Sequence, residues 1–281
     1  MRIVRRIPAL RRLLRAEKRL GRTLGLVPTM GALHEGHLSL IRAARKENDR
    51  VVVTIFVNPI QFNQRSDFQS YPRPLARDAR LAASAGADLL FVPNPKEMYP
   101  AGFQTFVEVQ DLTRRWEGRF RPGHFRGVAT VVAKLFHLAE PDAAYFGLKD
   151  AQQARVVGQM IRDLDFNVRL RVLPVVREPD GLAMSSRNQR LSPEARRGST
   201  ALFEALQEGR RLIKLNLRRS EEIYRRMRMV LRKAPGLRVE YLAVVDPVSL
   251  QPVRVAQKPV LLLAAVWIGG VRLIDCLPAA P

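Results

Sequence analysis

Cysteine is almost absent: Cys276 is the only one in 281 residues. An intrachain disulfide and a cysteine-based metal site are thereby excluded. With no histidine near it in sequence, Cys276 reads as a small buried apolar residue, and a reduced cytoplasmic setting suits such a chain. Aromatic residues are few, at 7%, and no strand is rich in them, so the stacking platforms that bind single-stranded RNA are missing. Long apolar runs are lacking too. The best, Val260–Ile268, is of strand length and is bounded by Pro259 and Gly269-Gly270, far short of a bilayer span. The Arg-rich N-terminus has no apolar signal core. Its Ile3, Val4 and Ile7, followed by Leu10, Leu13 and Leu14, read as a strand and an amphipathic helix of the fold itself.

Acidic residues are outnumbered, 26 against 48 basic ones, for a formal charge of +22. Such a balance invites a nucleic-acid reading, but its distribution argues otherwise. Residues 1–22 and 210–233 each carry a net +8 and together hold 16 of the 22 excess charges. Both read as surface helices with apolar residues at helical spacing, hence as solvated basic faces. Their field still steers an anionic substrate.

What is present is an alternation of strands and helices. The β-branched run 51–57 reads as a buried parallel strand. Further strands are expected at 23–27, 88–93, 142–146 and 168–172, with helices after Leu38, over 78–85 and over 127–138. This predicts a Rossmann-like, doubly wound parallel α/β sheet with its ligand site along the strand C-termini. Composition shifts near the Pro179-Asp180-Gly181 turn. Two basic helices and strands around 238–245, 260–268 and 271–275 follow. We expect a catalytic domain over 1–176 and a smaller α+β lid domain over 177–281.

The most informative stretch is residues 28–37, Pro-Thr-Met-Gly-Ala-Leu-His-Glu-Gly-His. It places His34 and His37, two of the four histidines, where a strand hands over to a helix N-terminus. Backbone N–H groups and the helix dipole gather anions there, and Gly31 and Gly36 let a nucleotide approach the backbone. Phe56-Val57-Asn58-Pro59-Ile60-Gln61-Phe62 ends a strand with amides suited to reading hydroxyl and carboxylate groups. Residues 121–127, Arg-Pro-Gly-His-Phe-Arg-Gly, form a basic loop that either serves anions or is an ordinary turn. Gly147-Leu148-Lys149-Asp150 is a second strand–helix junction, with a lysine for phosphate and a carboxylate for a ribose diol. Met184-Ser185-Ser186-Arg187-Asn188 brings hydroxyls and a guanidinium suited to a β,γ-phosphate clamp.

His-x-Gly-His at a strand–helix junction resembles the signature of the class I nucleotidyl-transferring superfamily. Taken together and in order, with Tyr71-Pro72-Arg73 and the ending Leu273-Ile274-Asp275, the segments resemble the pantoate–β-alanine ligase family, the pantothenate synthetases. That resemblance implies an AMP-forming ligase that condenses pantoate with β-alanine through a pantoyl adenylate. By the same resemblance, Met30, Gly31, Ala32, Leu33, His34, Glu35, Gly36 and His37 line the ATP site. His34 and His37 meet the phosphates, and His37 is the general acid. Gly147, Leu148, Lys149 and Asp150 bind nucleotide, with Lys149 on phosphate. Val176 touches adenine, and Met184, Ser185, Ser186 and Arg187 close over the triphosphate. Gln61 and Gln153 hold pantoate, and Gln61 also meets β-alanine. ATP is expected as substrate with Mg²⁺, the metal ligands being unassigned. A homodimer with ATP between its two domains is expected, in the cytoplasm and away from membranes.

Two features depart from the family pattern. Leu148 stands where an acidic or amide residue is usual, and few acids follow Tyr71-Pro72-Arg73. Two other readings compete. A nucleotidylyltransferase of the same superfamily needs a phosphate-binding acceptor site, whereas Gln61 and Gln153 suit a small hydroxy acid. An RNA-binding module accounts for the charge but not for the full set of catalytic motifs.

Overall fold

The computed structural model describes all 281 residues. The chain divides into two compact units: Met1–Gly147 with Gln152–Leu173, and Leu148–Ala151 with Pro174–Pro281. The first contains β1 (Arg2–Val4), α1 (Ile7–Arg19), β2 (Leu24–Thr29), α2 (Glu35–Glu47), β3 (Arg50–Ile55), α3 (Arg65–Ser70) and α4 (Leu75–Ser84). It continues with β4 (Leu89–Phe91), α5 (Pro95–Met98), α6 (Glu117–Phe120), α7 (His124–Ala139), β5 (Ala143–Gly147), α8 (Ala151–Asp163) and β6 (Arg169–Leu173).

Its six strands are all parallel, in the order β1-β4-β3-β2-β5-β6. Strand residues alternate between two cores, which explains why they read as apolar runs. Leu24, Leu26, Val52, Leu89, Phe91, Ala144 and Phe146 face one core with Leu10 and Leu14 of α1, much of α7, and Val156, Val157 and Met160 of α8. Val27, Val51, Val53, Ile55, Leu90, Ala143 and Tyr145 face the other, with Leu40, Ile41 and Ala44 of α2 and Ala82 of α4. The sheet is therefore doubly wound, as expected. From β2 the chain runs outward through β3, and from β5 it runs the other way through β6. The neighbours β2 and β5 thus flank the topological switch point, where open α/β sheets bind ligands beyond their carboxyl ends.

The second unit carries α9 (Pro193–Gly198), α10 (Ala201–Lys214), α11 (Ser220–Leu231), β7 (Arg238–Val245), β8 (Val260–Ile268) and β9 (Val271–Ala279). The strands form an antiparallel sheet in the order β7-β8-β9. Leu202, Leu206, Ile213, Ile223, Met227 and Leu231 of α10 and α11 pack on Leu242, Val244, Leu262, Ala264, Val266 and Leu273. In α11, Ile223, Met227 and Leu231 are buried while Arg225, Arg226 and Arg228 are exposed. This is the solvated basic face that the spacing predicts. Gly269 and Gly270, with φ of 53° and 73°, close the β8–β9 hairpin in the left-handed conformation that a tight two-residue turn demands.

Candidate active site

The loop leaving β2 is built around backbone donors. Gly31 (φ 85°) and Ala32 (φ 51°) are both left-handed, and a Cβ on Gly31 would sit 3.0 Å from Asp78 Oδ2 and from Ile55 Cγ2. The fully buried Asp78 carboxylate accepts the N–H groups of Ala32 and Leu33, each at 2.8 Å. Gly31 N–H donates to Thr29 Oγ1 (3.1 Å), whose hydroxyl donates to Thr54 O (2.6 Å). The turn that delivers His34 is thus fixed from two sides.

His34 is the N-cap of α2 and His37 stands one turn in, with ring centroids 4.1 Å apart. His34 N–H donates to His37 Nδ1 at 3.3 Å. An imidazole that accepts at Nδ1 carries its proton at Nε2 when neutral, so His37 is preset as an Nε2–H donor at a helix N-terminus. A cavity of about 320 Å³ opens beside this turn, with Met30, Phe56, Arg73, Asp78 and Val92 among its lining residues.

Beyond β3, Asn58 and Gln61 are both buried, Asn58 as the N-cap and Gln61 as the last residue of the 3₁₀ turn Pro59–Gln61. Asn58 Nδ2 donates to Gln61 Oε1 and to Gly127 O, each at 3.0 Å, and Gln61 Nε2 lies 3.0 Å from Met30 Sδ. The 121–127 segment is not a free anion loop. His124 is buried and opens α7. Its Nδ1 meets Gln61 O at 2.9 Å, and its Nε2 lies 3.1 Å from Arg121. A carbonyl can only accept, so His124 carries its proton at Nδ1 and supports the Gln61 backbone. A Cβ on Gly127 would fall 2.5 Å from Ile60 O, so glycine is what lets α7 approach this turn.

The second junction begins at Gly147, the end of β5. Lys149 Nζ lies 3.7 Å from Asp150 Oδ1, and Leu148 O accepts from Cys276 Sγ at 3.0 Å. That contact needs only a main-chain carbonyl, which fits the unusual Leu148. Of the two adjacent amides, Gln152 is buried and structural. Its Oε1 accepts Glu117 N–H (2.9 Å), and its Nε2 donates to Leu112 O (2.6 Å) and Arg115 O (2.9 Å). Gln153, the expected pantoate ligand, is half-buried.

The 176–188 segment is pinned at its base. Arg177 makes a two-pronged bridge to Asp275 (2.6 and 3.0 Å), donates to Cys276 O (3.2 Å) and Gly181 O (3.0 Å), and stacks 3.7 Å over Phe203. Asn188 Nδ2 donates to Glu178 Oε1 (2.6 Å), and Arg196 pairs with Glu178 (2.6 Å) and with Asp180. Met184 N–H donates to Val176 O (3.0 Å). Ser185 Oγ accepts Arg187 N–H (3.3 Å) and caps the 3₁₀ turn Ser186–Arg190. Cys276 is buried. Burial, aided by the Asp275 carboxylate, pushes its thiol far above the usual range, so it is an inert packing residue.

Residues 2–278 match the family described as pantoate-beta-alanine ligase. The chain belongs to that family. It is 50% identical to a pantothenate synthetase of Moorella thermoacetica over 98% of this chain and 97% of the relative. It is 51% identical to one from Sulfurihydrogenibium, with 92% of each covered. Among solved structures, pantothenate synthetase from Thermus thermophilus superposes with a TM-score of 0.95 at 47% identity, over 100% of both chains. Pantoate-beta-alanine ligase from Francisella tularensis, complexed with beta-gamma ATP and beta-alanine, superposes at 0.83 with 34% identity, over 99% of this chain and 97% of that one. The resemblance carried by the motifs is thus family membership across nearly the whole chain.

Several residues that shape the family's motifs here escaped the sequence reading. Asp78 passed as part of a helix start, Asn58 as one of two turn amides, and Tyr99, Arg177 and Asp275 carried no assigned role. The only sequence signal was the acid at 78 and the aspartate closing Leu-Ile-Asp.

Proposed function

We propose that this chain joins pantoate to β-alanine at the expense of ATP, giving pantothenate, AMP and pyrophosphate. The observation that carries this reading is the β2–α2 junction. A turn pinned by Asp78 presents His34 and His37 at a helix N-terminus, and Met30 of the same turn lies 3.0 Å from the buried Gln61 amide. A carboxylate is a poor acyl donor because its leaving group is an oxide. A pantoate carboxylate oxygen therefore attacks the α-phosphorus of ATP and expels pyrophosphate. The β-alanine amine then attacks the acyl carbon, loses a proton and expels AMP.

Holding two anions together requires converging donors. His37, through Nε2–H, is assigned to the transferring phosphate together with His34 and Lys149. Asp150 is assigned to ribose, and Val176 to adenine. Met30 to Gly36, Gly147, Leu148 and Met184 to Arg187 complete the nucleotide contacts. Gln61 and Gln153 are assigned to pantoate, and Gln61 to β-alanine as well. No group of three or more metal-ligating side chains converges in the chain. Mg²⁺ is assigned to enter with ATP, on phosphate and water oxygens. The family reading carries a homodimer and a cytoplasmic setting. No helix is long and apolar enough to cross a membrane. Sedimentation that gives a monomer across micromolar concentrations removes the dimer.

The test is to incubate enzyme, Mg²⁺-ATP and labelled pantoate without β-alanine. The expected result is pyrophosphate release and a labelled acyl adenylate that added β-alanine chases into pantothenate. If neither appears until β-alanine is present, the two-step reading is wrong.

A further inference from the structure

The Gln61 carboxamide is not free to choose which end it shows a ligand. Gly127 O can only accept, so the Asn58 atom 3.0 Å from it must be the NH₂. The second hydrogen of that NH₂ points at the side-chain atom of Gln61 3.0 Å away, which must then be Oε1. Gln61 Nε2 is thereby turned the other way, where its protein neighbour is Met30 Sδ at 3.0 Å, a weak acceptor that a substrate oxygen outcompetes. The remaining Asn58 atom, Oδ1, needs a donor, and the Tyr99 hydroxyl supplies it at 2.8 Å.

Tyr99 is itself held in place. Its ring packs against Phe56 (centroids 5.9 Å apart) and edge-on to Phe103 (5.0 Å). Burial pushes its phenol upward from the usual value, so it remains a protonated donor through the working pH range. It lies 41 residues from Asn58 in sequence.

We propose that Tyr99 is a positioning residue for pantoate: through Asn58 its hydroxyl locks the Gln61 carboxamide with the NH₂ facing the substrate. Gln61 then reads pantoate as a donor and demands an acceptor oxygen, a carboxylate or hydroxyl. Tyr99 touches no substrate. This proposal rests on the assignment of Gln61 to pantoate.

The test is a double-mutant cycle with Tyr99→Phe and Gln61→Ala, read as KM for pantoate and for ATP in pyrophosphate exchange. Phenylalanine keeps the ring and its packing, and the melting temperature of the variant monitors the fold. Losing one buried hydrogen bond that orients a ligand corresponds to a rise in pantoate KM of roughly 3- to 10-fold. ATP KM should stay within about twofold, a split that general loosening would not give. In the Gln61→Ala background, Tyr99→Phe should add nothing, because the group it orients is gone. The proposal is overturned if Tyr99→Phe leaves pantoate KM unchanged, raises both KM values alike, or has the same effect with Gln61 absent. If Gln61→Ala itself leaves pantoate KM unchanged, the assignment of Gln61 falls and takes the proposal with it.

Discussion

Asp78→Asn is the sharpest test of how the β2–α2 turn is held. The change removes a charge but almost no volume. The carboxylate accepts Ala32 N–H on Oδ2 and Leu33 N–H on Oδ1, both at 2.8 Å and both buried. An asparagine keeps one acceptor and sets an NH₂ against the other N–H, donor facing donor. Hydrogen bonds to a charged group contribute roughly 1.5–3 kcal/mol each, and a stranded buried donor costs about 1–3 kcal/mol. Asp78→Asn should therefore lose about 2–4 kcal/mol, and Asp78→Ala, which strands both donors, about 3–6 kcal/mol. Because Gly31 and Ala32 hold left-handed conformations that these bonds stabilise, the turn should relax and ATP KM should rise about 10-fold or more. Urea unfolding followed by circular dichroism reads the first quantity and initial rates the second. An Asp78→Asn enzyme within about 0.5 kcal/mol of wild type, with unchanged ATP KM, refutes the reasoning.

Other expectations follow from the same geometry. His37→Ala and Lys149→Ala should each slow pantoate-dependent pyrophosphate exchange by ~10²–10³ with the fold intact by circular dichroism; near wild-type exchange removes the residue from the site. Asp275→Ala leaves Arg177 without the partner that grips it at 2.6 and 3.0 Å, and breaking a buried pair costs about 3–5 kcal/mol. Calorimetry should show that loss, and a shift of under about 1 kcal/mol would mean the bridge is dispensable. The Arg196 guanidinium holds the Asp180 carboxyl below its usual pKa. Between the lowered folded value and the ordinary unfolded one, the unfolded chain binds more protons. The stabilisation is therefore complete above the unfolded pKa and is lost as pH falls through the folded one. Arg196→Ala should accordingly destabilise at pH 7 and do so less at pH 3; an equal effect at both pH values would exclude the linkage.

The strand–helix alternation was legible because the central strands β4, β3, β2 and β5 are buried on both faces, which makes them nearly unbroken apolar runs, whereas the edge strands β1 and β6 keep exposed arginines. Element ends were less so. Helix α4 starts at Leu75, ahead of the expected Asp78, with Pro74 as its N-cap. Helix α7 starts at His124 and not Gly127, because the left-handed Gly123 forms its cap. Strand β9 runs on to Ala279 because pairing with β8 continues through Leu261 and Pro278. The nucleotide motifs were legible because their chemistry is local in sequence. Their supports were not. Asp78 reaches Ala32 across 46 residues, and Arg177 reaches Asp275 across 98, and no periodicity links such partners.

The placement of β1 has a consequence for how the chain acquires its structure. Its only ladder is with β4, Arg2 opposite Leu89, so β1 is an edge without a neighbour until residues 89–91 are in place. Contacts that close so long a loop are slow to form. The β8–β9 hairpin, closed by Gly269 and Gly270, joins adjacent segments and can form in about 1–10 μs. Refolding should therefore be paced by the parallel sheet. Exposed Arg2 and Arg5 put like charges on this edge, a feature that disfavours edge-to-edge pairing between copies.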